Sequence, residues 1–410
     1  MAILPIKLFR SSDSGAPTLN GVAGALANVL DAVLTTGYNV KSVTSITQTG
    51  NVATMTLQAG HGYVADQVVT NAGAVEPEYN GDFLVKAVTP TTVIFDVTGN
   101  PASPATGTIT TKVASAGWTK TFTGTNKAAY QAASGSGYHV RVDDGQTQFA
   151  TLGARAAAVS MYKTLSSVDT GTGAVPPSSV WANNVLPWHK SSTADSTARP
   201  WLIVASANAF YLFVWPDTAS CILHGFGDFF SNIPSDANNA FMLHGCNNTT
   251  TFSTGSSLAA MNVSPYTNAV FDSGNSYATS YQYAGVDYSG YSAGGKCCLV
   301  GNRTFGGSGF GEIGGLKFPN PLDNGFYYSP VLFLEKLNAS GDTGVRGRMP
   351  GIYTPQHANP FPVGAISGTT PAYTMLYGFG PSGGNLVAIP IITSGGYIGN
   401  LFLDVKGAWA

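Results

Sequence analysis

Only one stretch of this 410-residue chain repeats its apolar residues at the spacing of a helical face. Leu19, Val22, Leu26, Val29, Leu30, Val33 and Leu34 fall three and four apart, which predicts a single amphipathic helix near the N-terminus. Thr18 or Asn20 can cap its start, Asp31 is its only charge, and Gly37 supplies a left-handed stop. Elsewhere β-branched and aromatic runs are punctuated by Gly, Pro, Asn and Ser, the pattern of strands and turns. The fold class expected is mainly β: a sandwich- or barrel-like body with one N-terminal amphipathic helix and a small inserted β-domain.

The runs also divide the chain. Residues 1–40 read as a strand and helix belonging to the main body. From Val43 the period becomes two, and Thr49-Gly50-Asn51 turns the chain into Val52–Leu57 as a hairpin. Further strand-like runs at Gln67–Thr70, Phe83–Val88, Val93–Val97 and Gly107–Val113 complete a small β-module over residues 41–113. Residues 114–410 form the β-rich body, with room for two subdomains. Within it Trp201–Trp215 reads as two buried strands joined by a turn, and Ala-rich Ala154–Leu165 reads as a short helix. The Ser/Thr/Asn-rich tract Thr249–Ser280 reads as a long surface excursion.

Charge narrows the partners. Lys and Arg number 19 and Asp and Glu 21, together 10% of the chain, where soluble domains carry about 25%. With a net charge of −2 and no Lys/Arg cluster, the phosphate contacts on which nucleic-acid affinity rests are missing. Trp201–Trp215 is interrupted by Ser206 and Asn208 and falls short of the ~18 apolar residues of a helical span, so no membrane span is expected. Lys7 and Arg10 follow the short apolar N-terminal stretch instead of preceding it, the wrong order for a secretory signal. Four cysteines, with Cys297 and Cys298 adjacent, do not make a disulfide framework. Synthesis in a cytoplasm is the default expectation.

No motif carries catalysis with its required context. Gly290-Tyr291-Ser292-Ala293-Gly294 matches the nucleophile-elbow pattern, but 50 glycines make a chance match common, and the strand-like run after it replaces the helix that a nucleophilic Ser292 needs. Gly306–Gly311 has neither the lysine nor the helix of a phosphate loop. Cys221, His224, His244 and Cys246 are ligand types for zinc, yet on a strand Cys221 and His224 point to opposite faces. Asp143-Asp144, Glu76/Glu78 and Asp228/Asp236 sit among turn residues, where Asp is favoured for turns and solubility. No enzyme activity, cofactor or metal is expected. Arg346 and Arg348, on a Gly/Pro-braced stretch, suit salt bridges to a neighbouring subunit. Tyr281, Tyr283, Tyr288 and Tyr291 suit either protein contacts or stacking on sugar rings.

Two sets of residues carry a resemblance. Val43-Thr44-Ser45-Ile46, His61-Gly62-Tyr63, Glu78-Tyr79-Asn80-Gly81-Asp82-Phe83 and Pro104-Ala105-Thr106-Gly107-Thr108 resemble a small β-module recurrent in virion proteins of tailed bacteriophages. Ser12–Pro17, Trp118-Thr119-Lys120, Arg199-Pro200-Trp201, Arg346–Tyr353 and Asp404–Trp409 are similar to a family of phage structural proteins without assigned enzymatic activity. The resemblance implies a virion structural protein, made in the bacterial host cytoplasm and assembled as a symmetric homo-oligomer with other virion proteins in the tail, baseplate or neck. The alternative it leaves open is a receptor- or carbohydrate-binding tail component that contacts a host surface glycan.

Overall fold

The computed structural model describes residues 6–145, 149, 151–176, 182–217, 221–245, 277–281, 299–300, 319–336, 343–355, 370–393, 396–406 and 409. It is mainly β, 51% strand against 8% helix, and all its strand pairs are antiparallel among the described residues.

Three sheets stack in layers, and the middle one explains the most apolar part of the sequence. Its strands run in the order Ile6–Arg10, Trp201–Ser206, Ala209–Val214, Ile222–Asp228, Ala240–His244 and Tyr277–Ser280. Alternate residues point to opposite faces of a strand, and here both faces are covered. Trp201, Ile203, Phe210, Leu212 and Phe226 belong to one core, with Tyr130, Val140 and Val159 of a flanking sheet. Leu202, Val204, Tyr211, Phe213 and Leu223 belong to a second core, with Phe333, Ile352, Val387 and Leu403 of an outer sheet. A strand buried on both faces reads as a continuous apolar run. Trp201–Trp215 is accordingly the two buried strands expected.

The flanking sheet contains Thr119–Gly124, Lys127–Gln131, His139–Asp143, Ala156–Ser167 and Thr170–Val175, with Leu186–His189 also paired to Ala156–Ser167. The Ala-rich stretch is therefore a strand, not the helix expected. Ala156, Ala157, Ala158 and Val159 pair in register with His189, Trp188, Pro187 and Leu186, and small side chains there admit the large Trp188 ring to the core. Tertiary pairing overrides intrinsic propensity here. The outer sheet contains Tyr328–Lys336, Thr343–Pro355, Thr374–Leu376, Leu386–Thr393 and Gly396–Asp404.

Residues 38–113 make a fourth sheet of seven strands, opened by Tyr38–Thr49 and closed by Gly107–Val113. Its Ile46, Met55, Phe83 and Phe95 join the same core as the helix and flanking sheet. Lys7 Nζ ties it to the body, 2.5 Å from Asp82 Oδ2 and from the Ser115 carbonyl oxygen.

The helix is shorter than its apolar spacing predicts. It is α-helical only over Ala25–Leu30 and continues as a wider π-helical turn over Asp31–Thr36, ending at Gly37 with φ of 72°. Leu19 instead bridges to Arg199. The expected caps are not used: Asn20 Oδ1 accepts the Val22 N–H at 3.0 Å, while the Leu26 N–H donates to Asp144 Oδ2 at 2.8 Å. Among the described residues no helix is long and apolar enough to cross a membrane. Of the tract read as a surface excursion, Tyr277–Ser280 is an edge strand on Ala240–His244, and residues 249–276 lie outside the described residues.

Candidate functional site

The residues that the sequence marks as interface candidates divide sharply in the structure. Arg346 lies on Thr343–Pro355 with a side chain only 1% exposed. Its Nε–H donates to Asp236 Oδ2 and its Nη2–H to Asp236 Oδ1, both at 2.9 Å. Nη2 also donates to the Asn238 carbonyl at 2.8 Å, Nη1 to the Tyr281 carbonyl, and Nη1 lies 3.0 Å from Glu335 Oε2. The guanidinium carbon sits 5.1 Å from the Phe229 ring centre. Burial pushes the Asp236 carboxyl up, but the hydrogen bonds from Arg346 and Ser231 hold it below the ordinary carboxylate range. The expected inter-subunit salt bridge of Arg346 is thus an internal one. Arg348, two residues on, points to the exposed face over the Phe230 ring.

Tyr281 is 3% exposed. Its ring stacks on Tyr138 at 5.1 Å and lies 4.4 Å from Lys163 Nζ. A ring covered on its faces by its own chain offers no platform for a sugar. Tyr283, Tyr288 and Tyr291 lie outside the described residues, as does Ser292.

The zinc candidates do not converge. Cys221 packs in the core shared with the outer sheet. His224 lies on the opposite face, stacked on Trp188 at 5.0 Å, and His244 is fully buried. Cys246 lies outside the described residues. The Gly245 N–H donates to His224 Nδ1 at 3.3 Å, so the proton is on Nε2, which donates to the His189 carbonyl at 3.0 Å. Burial pushes His224 down to about 3 and the Cys221 thiol up. Among the described residues no group of three His, Cys, Asp or Glu side chains could hold a metal ion.

The carboxylates expected in turns are largely structural. Asp143 and Asp144 are 2% and 0% exposed, against the solvent-facing reading. Asp143 Oδ2 meets Arg141 Nη2 at 3.1 Å and Lys127 Nζ at 3.2 Å, and Asp144 Oδ1 lies 2.6 Å from Lys190 Nζ. Arg141 lies two residues from Asp143 on the same strand, but Lys127 and Lys190 come from distant segments, so the sequence gives no local sign of those two pairs. In all, Lys7, Arg10, Arg141, Asp143, Asp144, Lys190, Glu335, Arg346 and Asp404 are buried. Nine charged residues are thus withdrawn from the surface among the described residues alone, in a chain that has only 40.

Asp228 marks a concavity that the sequence does not reveal. A cleft of about 360 Å³ is lined by Asn208, Asp228, Phe230, Asn239, Pro350 and Trp409, among others. Ser136 donates to the Asp228 carboxylate from its N–H at 2.5 Å and its hydroxyl at 2.6 Å. Burial raises the Asp228 pKa, and those hydrogen bonds oppose the shift. Among the described residues lining the cleft Asp228 is the only titratable group, so they supply no acid–base pair.

The exterior carries large apolar side chains where charge would normally stand. Leu322 is 93% exposed, Val75 72% and Tyr377 61%, and Tyr327 and Phe379 are exposed too, the Phe379 ring meeting Phe326 edge-on at 5.7 Å. The Leu322 turn is ordered by Asn320 Nδ2, which donates to Asp323 Oδ1 at 2.6 Å, and by the Tyr327 hydroxyl on Asp323 Oδ2. No family model and no curated protein matches the chain.

Proposed function

We propose that the chain is a structural subunit of the virion of a tailed bacteriophage, acting by assembly in the tail, baseplate or neck and without turnover. One observation carries the assembly reading: charge is scarce in the chain, and nine of its charged residues are buried, while Leu322, Tyr327, Tyr377 and Phe379 stand exposed. Solubility of a free monomer leans on surface charge and small apolar patches. A subunit whose surface is covered by further copies and neighbouring virion proteins needs neither. The three buried layers give such a subunit a rigid body, and closed homo-oligomers are the common form of assembly. The phage assignment itself rests on the sequence resemblance.

Two measurements test this. Sedimentation of the purified chain is expected to give one discrete oligomer, and quantitative mass spectrometry of purified virions is expected to give a fixed copy number relative to the major capsid protein. A monomer at all concentrations, or absence from clean particles, overturns the proposal.

A further inference from the structure

We propose that Lys190 and Asp144 form an intramolecular isopeptide bond, on the geometry of two side chains that are both 0% exposed, with Nζ 2.6 Å from Oδ1. The site is a modification of this chain by its own residues and is independent of the assembly reading.

Each reactant is held by groups that suit the condensation. Asp144 closes His139–Asp143, its N–H donating to the Asn126 carbonyl at 2.8 Å and its carbonyl accepting the Gly24 N–H at 3.1 Å. Lys190 follows Leu186–His189, its N–H donating to the Arg155 carbonyl at 2.8 Å. Lys190 Nζ also donates to the Val22 carbonyl at 2.5 Å, which fixes one N–H away from the carboxyl. Asp144 Oδ2 accepts the Leu26 N–H at 2.8 Å. Oδ1 faces the amine directly at 2.6 Å, which leaves Oδ2 to the Leu26 N–H. Intramolecular placement of this kind is equivalent to ~10⁵ M or more of the second reactant when the orientation is right.

Burial supplies the protonation states. It raises the Asp144 carboxyl above its ordinary value and lowers the Lys190 ammonium below its own, in each case against the pull of the other. Both shifts favour the neutral acid and neutral amine over the ions. The ammonium first passes one proton to Oδ1. The nitrogen lone pair then attacks Cγ, forming the N–C bond and placing negative charge on Oδ2, where the Leu26 N–H stabilises it. Oδ1, already carrying one hydrogen, takes a second from the nitrogen and leaves as water as the C–O bond breaks. The product is a secondary amide with one N–H left for the Val22 carbonyl. One water is released, and nothing is oxidised or reduced.

The test is peptide mapping of the full-length chain after denaturation. The intact mass is expected to be lower by one water. Trypsin is expected to leave residues 142–155 attached to the segment that holds Lys190, with no cleavage after that lysine. In Asp144→Asn the same bond would form with loss of ammonia instead of water, and Asp144→Ala would restore cleavage after Lys190. Unmodified mass with free cleavage after Lys190 in the folded, purified chain overturns the proposal and leaves a buried ion pair. A deficit of one water without the branched peptide overturns it equally.

Discussion

Arg346 and Asp236, 110 residues apart in sequence, meet in a two-pronged salt bridge with both N–O distances at 2.9 Å. The pair joins the loop after Phe230–Ser231 to the outer-sheet strand Thr343–Pro355, and Glu335 takes a third edge of the guanidinium. Removing Asp236 leaves the buried guanidinium with Glu335 alone and takes away its two-pronged partner. Asp236→Ala is therefore expected to cost about 3–5 kcal/mol. Arg346→Lys keeps the charge but loses the planar fork, and about 1–3 kcal/mol is expected. Urea unfolding midpoints for the two variants check this, and a loss under about 1 kcal/mol for Asp236→Ala would contradict the internal role.

How much of this was legible in the sequence depends on whether the cause is local. The hairpin through Thr49-Gly50-Asn51 and the twin strands Trp201–Ser206 and Ala209–Val214 follow from period and turn chemistry, and the structure has them. Ala154–Leu165 reads as a helix yet pairs as a strand from Ala156 on, because alanine's helix preference is a few tenths of a kcal/mol per residue, less than the pairing available on both sides of the strand. The helix shrank because Leu19 and Val22 have helical spacing but the chain at Leu19 pairs with Arg199. Asp144, Asp228 and Arg346 looked like turn or surface residues because their partners Lys190, Ser136 and Asp236 lie on other elements. Nothing in a window of ten residues records such a meeting.

Gly135 is the tightest point of the loop that closes on Asp228. Its φ of +108° is a conformation that side chains rarely adopt, and a Cβ there would overlap Asp228 Oδ2. Gly135→Ala must either strain the backbone or expel the carboxylate from its two Ser136 hydrogen bonds, and about 2–4 kcal/mol of stability is expected to be lost. Gly137 offers the control. Its φ is +79°, but the nearest atom to a Cβ is Gln131 Nε2 at 3.7 Å, so Gly137→Ala should cost only the backbone strain of about 1–2 kcal/mol. Thermal or urea denaturation of both variants gives the comparison; equal losses would mean that the Asp228 contact adds nothing.

His224 makes stability depend on pH. Its Nδ1 accepts the Gly245 N–H and burial pushes its pKa to about 3, whereas an unfolded histidine titrates near ~6.5. Between these values the unfolded chain binds the proton and the folded chain does not, so stability rises with pH across the window. The group's contribution is fully present above about 6.5 and falls by ~1.4 kcal/mol per unit as pH drops toward 3. His224→Gln removes the titration, and the difference between its stability and that of the parent is expected to narrow by about 2 kcal/mol from pH 7 to pH 5. A difference that stays constant over that range would show that His224 is protonated in the fold or reachable by water.

Leu322 tests whether the exposed apolar surface is used. At 93% exposure it contributes almost nothing to the fold, so Leu322→Lys should change folding stability by no more than ~0.5 kcal/mol. A lysine at a contact between copies would have to be desolvated without a partner, which costs several times that amount. Its association constant is then expected to fall about tenfold or more, equivalent to ~1.4 kcal/mol, as measured by sedimentation equilibrium against the parent chain. Val75→Lys, at 72% exposure in the bend after Val68–Ala74, gives the second arm: the variant that weakens association identifies which of the two sites meets the neighbouring copy. If both variants associate like the parent, neither Leu322 nor Val75 lies in the contact between copies.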